Sequence, residues 1–107
     1  MPRSFVRIYP SVDAGNGVTR RVLAESPELM VVEFRFAKDG AGALHNHPHV
    51  QATYVKSGVF EFTIGDEVVL VRGGDSFVIP SSVTHGCRAL EEGVLIDTFT
   101  PRRDDFL

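Results

Sequence analysis

Three of the chain's four histidines lie in one heptapeptide, His45-Asn46-His47-Pro48-His49-Val50-Gln51. In an extended segment every second side chain points to the same face, so His45, His47, His49 and Gln51 would converge on one spot. Imidazole nitrogens crowded together with an amide oxygen are donor atoms for a metal ion, and the spacing predicts a ligand strand. A lone histidine is ordinarily a surface or core residue. The fourth, His85, therefore carries weight only through the residues that frame it.

The rest of the chain has to supply a scaffold for such a site. With 107 residues it predicts one domain, 1–107, able to bury roughly 60–70% of its unfolded surface around a single core. Hydrophobic residues at 43% and charged ones at 23% are those of a folding globular protein and exclude a disordered chain. The formal net charge is −3, and the arginines are scattered along the chain, with a pair near the end only at Arg102-Arg103, so nucleic acid and anionic membrane are not expected partners. Cys87 is the single cysteine and cannot form an internal disulfide, the start MPRSFVRIYPS has no apolar signal core, and no apolar run approaches a membrane span. These features lead to the expectation of a soluble cytoplasmic protein.

Periodicity gives strands and no convincing helix. LMVVEFRFA (29–37) alternates Val32, Phe34 and Phe36 against Glu33 and Arg35, and VFEFTI (59–64) alternates Phe60, Phe62 and Ile64 against Glu61 and Thr63. Gly65-Asp66 then precedes EVVLV (67–71), which predicts a two-residue hairpin turn with glycine at its first central position. Further turn signals at Asp39-Gly40, Ser57-Gly58, Gly73-Gly74, Pro80-Ser81 and Glu92-Gly93 divide the chain into short segments of similar length, the pattern of a sandwich or barrel. Near the N-terminus FVRIY (5–9) is a short apolar segment ahead of the glycine-rich DAGNGVTRR (13–21). It is expected to reach outward as a strand and pair with a partner subunit, covering exposed edges in a homodimer.

Two segments combine around the histidines. GALHNHPHVQATYVKSG (42–58) carries His-x-His followed by Gln51, and GDSFVIPSSVTHGCRA (74–89) places His85 after Gly74 and Pro80. The pair resembles the two motifs of the cupin superfamily, a glycine, H-x-H, a spacer, Glu and glycine, then G-x5-P-x-G-x2-H. Gln51 stands where that family usually has glutamate, Ser82 where the second motif has glycine, and Ala89 where asparagine is frequent. The resemblance implies an all-β cupin-type β-barrel, the double-stranded β-helix or jelly roll. It also implies one divalent metal ion per chain, held by His45, His47, Gln51 and His85. Three imidazoles and a neutral carbonyl oxygen accept Zn, Ni, Mn, Fe or Cu. Because none of the four is charged, the ion keeps its full charge, which suits Lewis-acid work on an anionic substrate better than two-His-one-carboxylate iron chemistry. His49 shares the parity, but Pro48 interrupts the ladder beside it, and the resemblance assigns it no ligand role. Cys87 shares the parity of His85 and either faces a cavity or is a buried, inert thiol.

The closing stretch LIDTFTPRRDDFL (95–107) sets Leu95, Asp97 and Phe99 on one strand face and Val94, Ile96 and Thr98 on the other. Periodicity leaves two readings open: Val94 and Ile96 inside with Asp97 in water, or Asp97 inside. The pattern DTFTPRRDDF, with HPHVQ, resembles the small single-domain KdgF cupins, which act on unsaturated uronates released from pectin and alginate. In that family's D-x-F-x-P-x-R-x-DF pattern, Asp97, Phe99 and Arg103 match position by position, while Val50 replaces a frequent glutamate and Thr53 is an open polar position. The resemblance implies ring opening of a 4,5-unsaturated uronate to the linear 5-keto sugar acid. Asp97 would move protons, Arg103 would clamp the carboxylate of the anionic sugar, and Phe99 would pack on its face. Two other readings remain, another metal-dependent cupin enzyme such as a dioxygenase or polyketide cyclase, and a non-catalytic sugar or effector-binding module.

Overall fold

Apolar residues at every second position make one face of each strand oily, and burying those faces against each other is what closes the sandwich. The computed structural model describes residues 5–107. Its strands are β1 (Val12–Gly15), β2 (Val18–Ser26), β3 (Leu29–Phe36), β4 (Ala41–His45), β5 (Val50–Ile64), β6 (Glu67–Arg72), β7 (Ser76–Ile79) and β8 (His85–Thr100). A short 3-10 turn, Asp104–Phe106, follows β8. The described residues contain no α-helix, and no helix is long and apolar enough to cross a membrane.

All pairings are antiparallel, in the order β1-β2-β3-β8-β5-β6, with β4 added on β8 and β7 on β5. The two long strands belong to both layers. The first half of β5 and the second half of β8 lie with β7 and β3, while their other halves lie with β6 and β4. Ser57-Gly58 and Glu92-Gly93, expected to separate strands, instead bend continuous ones, and the β5–β8 register shifts there. A Cβ on Gly93 would sit 2.4 Å from Ser57 O, and one on Gly58, at φ +88°, 2.6 Å from Glu92 O. Two glycines are thus needed where the strands cross from one layer to the other.

The inward faces form two joined clusters, one around Val55, Phe60, Phe62, Ile79 and Leu95 and one around Val22, Met30, Val32 and Phe99. Phe60 is fully buried and meets Phe36 edge to face at 5.1 Å; burying such a ring stabilises by roughly 1.5–3 kcal/mol. The predicted hairpin is present: Ile64 pairs with Glu67, and Gly65 has φ +58°. Glu33 points outward as the alternation requires, yet it is only 7% exposed, because Arg35 Nε at 3.1 Å and Arg21 Nη2 at 3.8 Å cover it.

Two other expectations are corrected. The heptapeptide 45–51 is not a single strand: β4 ends at His45, residues 46–49 form a connection around Pro48, and Gln51 lies on β5. Proline removes the ladder donor at 48 and so breaks the run. FVRIY forms no strand either. Residues 6–11 have no regular structure, with Phe5 and Ile8 exposed, while Tyr9 alone is tied down, donating to Glu25 Oε2 at 2.7 Å.

Ser82, which stands in place of the motif glycine, adopts φ +65° and donates its N–H to His47 O at 2.8 Å. A left-handed conformation at a non-glycine residue costs about 1 kcal/mol. Ser82→Gly should therefore raise the melting temperature by roughly 4 °C without altering the site, as checked by calorimetric melting; a lower Tm would mean that the serine side chain stabilises the turn by more than its backbone strain costs.

Candidate metal centre

Each of the three clustered rings is oriented by the same device. Nδ1 of His45 contacts Ala43 O at 2.8 Å, that of His85 contacts Val83 O at 2.8 Å, and that of His47 contacts His49 O at 3.1 Å. A carbonyl oxygen can only accept, so each Nδ1 carries a hydrogen, and in the neutral ring it is Nε2 that offers the lone pair. Burial above all holds His47 and His85 below the ordinary imidazole range, which keeps these rings neutral. Ligand atoms of His45, His47 and His85 lie within 4.8 Å of one another. Cross-strand pairing of His45 with His85 and a ring separation of 4.4 Å account for two of them; the turn around Pro48 delivers the third.

Gln51 completes a convergence of acceptors. Its Nε2 donates to Thr53 Oγ1 at 3.0 Å, which turns Oε1 toward His47 Nε2 at 3.2 Å. Two lone pairs then face each other, and buried His85 Nε2 has no hydrogen-bond partner. Such a knot of acceptors is unfavourable unless a cation sits among them, so these residues fit a metal ion. The tautomers are set from behind by backbone carbonyls, as metal-binding imidazoles require.

Asp97 faces inward, resolving the two readings of β8 in favour of Leu95, Asp97 and Phe99 inside. It lies between Val32 of β3 and Thr53 of β5, is 5% exposed, and its Oδ1 has no partner. Burial raises its pKa to about 7, against the pull of Thr53, Gln51 and Arg103 toward the carboxylate. The carboxyl can thus exchange a proton near neutrality. Periodicity could not choose between the faces because both carry apolar residues; the deciding event is the packing of β8 between β3 and β5.

A cavity of about 330 Å³ opens beside these groups, with His45, Gln51, His85, Asp97 and Arg103 on its wall and Phe34 among its apolar residues. Phe99 also borders it but is 2% exposed, packed edge on against His47 at 5.7 Å and Phe106 at 5.8 Å. Its principal contacts therefore hold neighbouring site residues. Arg103 reaches the cavity over the rings of Phe106 at 4.2 Å and Phe99 at 5.2 Å. His49 is set back from the cluster, half-buried, with Nε2 3.2 Å from Arg102 O. Cys87 borders the cavity too, and burial pushes its thiol up to about 12, so it stays protonated and unreactive at neutral pH. Sequence reasoning left Thr53 open and gave no role to Asp105 or Phe106; the only signal for these two was the closing Asp-Phe of the terminal pattern.

A jelly roll carrying a cluster of three imidazoles, two of them on the wall of its cavity, has the build of a cupin, and residues 32–99 match the family model described as Cupin domain. The chain is 42% identical over 100 residues to the pectin degradation protein KdgF of Dickeya dadantii, covering 92% of this chain and 91% of that one. Among solved structures, KdgF from Halomonas sp. superposes with a TM-score of 0.88 at 39% identity, covering 92% of each chain. An RmlC-like cupin from Shewanella frigidimarina does so with 0.89 at 38% identity, covering 92% of this chain and 89% of that one. With this similarity along nine-tenths of its length, the chain belongs to the KdgF family of cupins.

Proposed function

We propose that residues 1–107 act as one cupin domain that opens 4,5-unsaturated uronates, from pectin or alginate breakdown, to the linear 5-keto sugar acid. The observation that carries this reading is that an unpaired buried carboxyl, an arginine fork and two members of a three-histidine cluster border one cavity in a chain so similar to a pectin degradation protein. His45, His47, His85 and Gln51 Oε1 would hold one divalent ion. When bound, that ion supplies Lewis acidity toward substrate oxygen atoms.

The reaction moves one proton and one pair of ring electrons. Asp97, as carboxylate, takes the proton of the anomeric hydroxyl; the C1 carbonyl forms as the bond from C1 to the ring oxygen breaks, and that oxygen leaves on C5 as an enolate. The protonated Asp97 then returns the proton at C4, and C5 becomes the ketone. One group serves both steps because its proton is exchangeable near neutrality. Arg103 pairs with the carboxylate on C5 and fixes the ring's orientation. The apolar residues around Phe34 line the wall against which the sugar ring would lie.

Ultraviolet absorbance of the conjugated double bond tests the reaction. The metal-loaded protein should speed its loss from lyase-generated unsaturated monouronate, with no nicotinamide or oxygen required. Decay at the spontaneous rate with several divalent metals supplied would refute the reading.

The same reading takes the protein as a cytoplasmic homodimer. Tyr54, Val78 and Ile96 lie on the outer face of β5, β7 and β8, with Tyr54 and Val78 exposed, and the arm bearing Phe5 and Ile8 is likewise uncovered by the described residues. A second copy offers both surfaces at once, an isologous match. Val78→Lys should convert a sedimenting dimer to a monomer; a wild-type monomer would remove the claim.

A further inference from the structure

Arg102 and Arg103 are neighbours with opposite duties. Arg102 turns outward, donating from Nη1 to Glu25 Oε1 at 2.9 Å and from Nε to Asp104 Oδ1 at 2.7 Å. Arg103 turns to the cavity, with its side chain 12% exposed and its guanidinium over Phe106 and Phe99. A guanidinium has two edges that can bind a carboxylate by paired hydrogen bonds, the side edge of Nε and Nη2 and the end edge of Nη1 and Nη2. Asp105 takes the side edge, with Nε at 3.0 Å from Oδ1 and Nη2 at 2.9 Å from Oδ2. No acceptor among the described residues lies on Nη1. The end edge is the one left for a ligand.

We propose that Asp105 is a positioning residue, which grips the side edge of Arg103 so that the end edge stands ready for the single carboxylate of the substrate. The assignment rests on the uronate reading and deepens it. A free arginine must surrender several rotatable bonds when it binds, whereas this one is already held by two hydrogen bonds and two aromatic faces before the substrate arrives. The 3-10 turn makes this possible by bringing residue 105 back under residue 103, and Phe106 N–H to Arg103 O at 3.0 Å closes it. The turn is anchored at its start by Arg102 on Glu25 of β2. Opposing this, the Asp105 charge repels an incoming carboxylate. Its side chain is 60% exposed, so water and salt screen that repulsion, while Arg103, 12% exposed and seated on two aromatic rings, depends on salt less for its orientation.

The test compares Asp105→Ala and Asp105→Asn with wild type, all metal-loaded, at about 0.15 M and about 1 M salt. Asp105→Ala should raise KM about tenfold at both salt concentrations with kcat within about twofold; Asp105→Asn, keeping one acceptor, should fall between. Melting temperature and metal content should stay near wild type, and the Arg103 Nε–H resonance, ordered in wild type, should lose its protection in Asp105→Ala. A KM within twofold of wild type overturns the proposal. So does a rise in KM accompanied by a fall of both kcat and Tm, which a purely structural role would produce. Affinity for saturated galacturonate, measured by calorimetry, separates this inference from the reaction: binding that weakens about tenfold in Asp105→Ala supports it even if wild type turns nothing over, equal affinity overturns it, and a wild type that binds no uronate overturns both.

Discussion

Asp97→Asn is expected to slow turnover by about 10²–10⁴-fold, the usual loss when a positioned acid/base group is removed. Asparagine keeps the shape of the side chain and its place between Val32 and Thr53, so packing should survive. What it loses is the capacity to take up a proton in a site where the present carboxyl oxygen has no partner and burial has raised its pKa to about 7. Metal content, measured by elemental analysis, should not change, since the three clustered imidazoles are untouched. A fully active Asp97→Asn protein would leave the enzyme standing but return Asp97 to a passive role. Loss of metal together with activity would show that the carboxyl supports the metal centre instead.

The second large effect is expected at His85. Its Nε2 is buried without a partner while its Nδ1 is held by Val83 O, so the ring has no evident purpose other than to offer that lone pair. His85→Ala should weaken metal binding by more than the ~10–100-fold that removal of an outer partner typically costs, and uronate turnover should fall with it. A melting measurement provides an independent readout. Metal that binds only the folded chain raises Tm by mass action, so a chelator should lower the Tm of wild type and leave that of His85→Ala unmoved. His45→Ala should behave alike. Full metal content in both variants would sink the assignment of the centre.

Much of the architecture was legible because strand faces alternate with a period of two and the core enforces that alternation. Val32 and Phe36 are buried on β3, Phe60 and Phe62 on β5, and the Gly65-Asp66 turn is where a glycine with positive φ was expected. The bends at Ser57-Gly58 and Glu92-Gly93 were not legible as bends. Glycine is used both to end a strand and to let two strands cross closely, and only the contact of Gly93 with Ser57 distinguishes the uses.

At the site the division is equally physical. Donor chemistry belongs to the residue types, so alternation in the sequence already marked the histidines around Pro48 and Gln51 as donors, and the resemblance of the two motifs to cupins implied that His85 joins His45, His47 and Gln51 on one cation. The interruption at Pro48 was legible too, but not that it would bring His47 in from a turn and Gln51 from the next strand. Nor could the sequence choose the face of β8, since Leu95 and Ile96 are comparably apolar. That choice was made by tertiary packing: once β3 and β5 flank β8, the face with Leu95 and Phe99 fills the interior and carries Asp97 in with it. The pairing of Arg103 with Asp105 likewise exists only because a 3-10 turn folds the last residues back beneath the cavity, a juxtaposition set by backbone hydrogen bonds and the packing of Phe106 against Phe34 and Phe99.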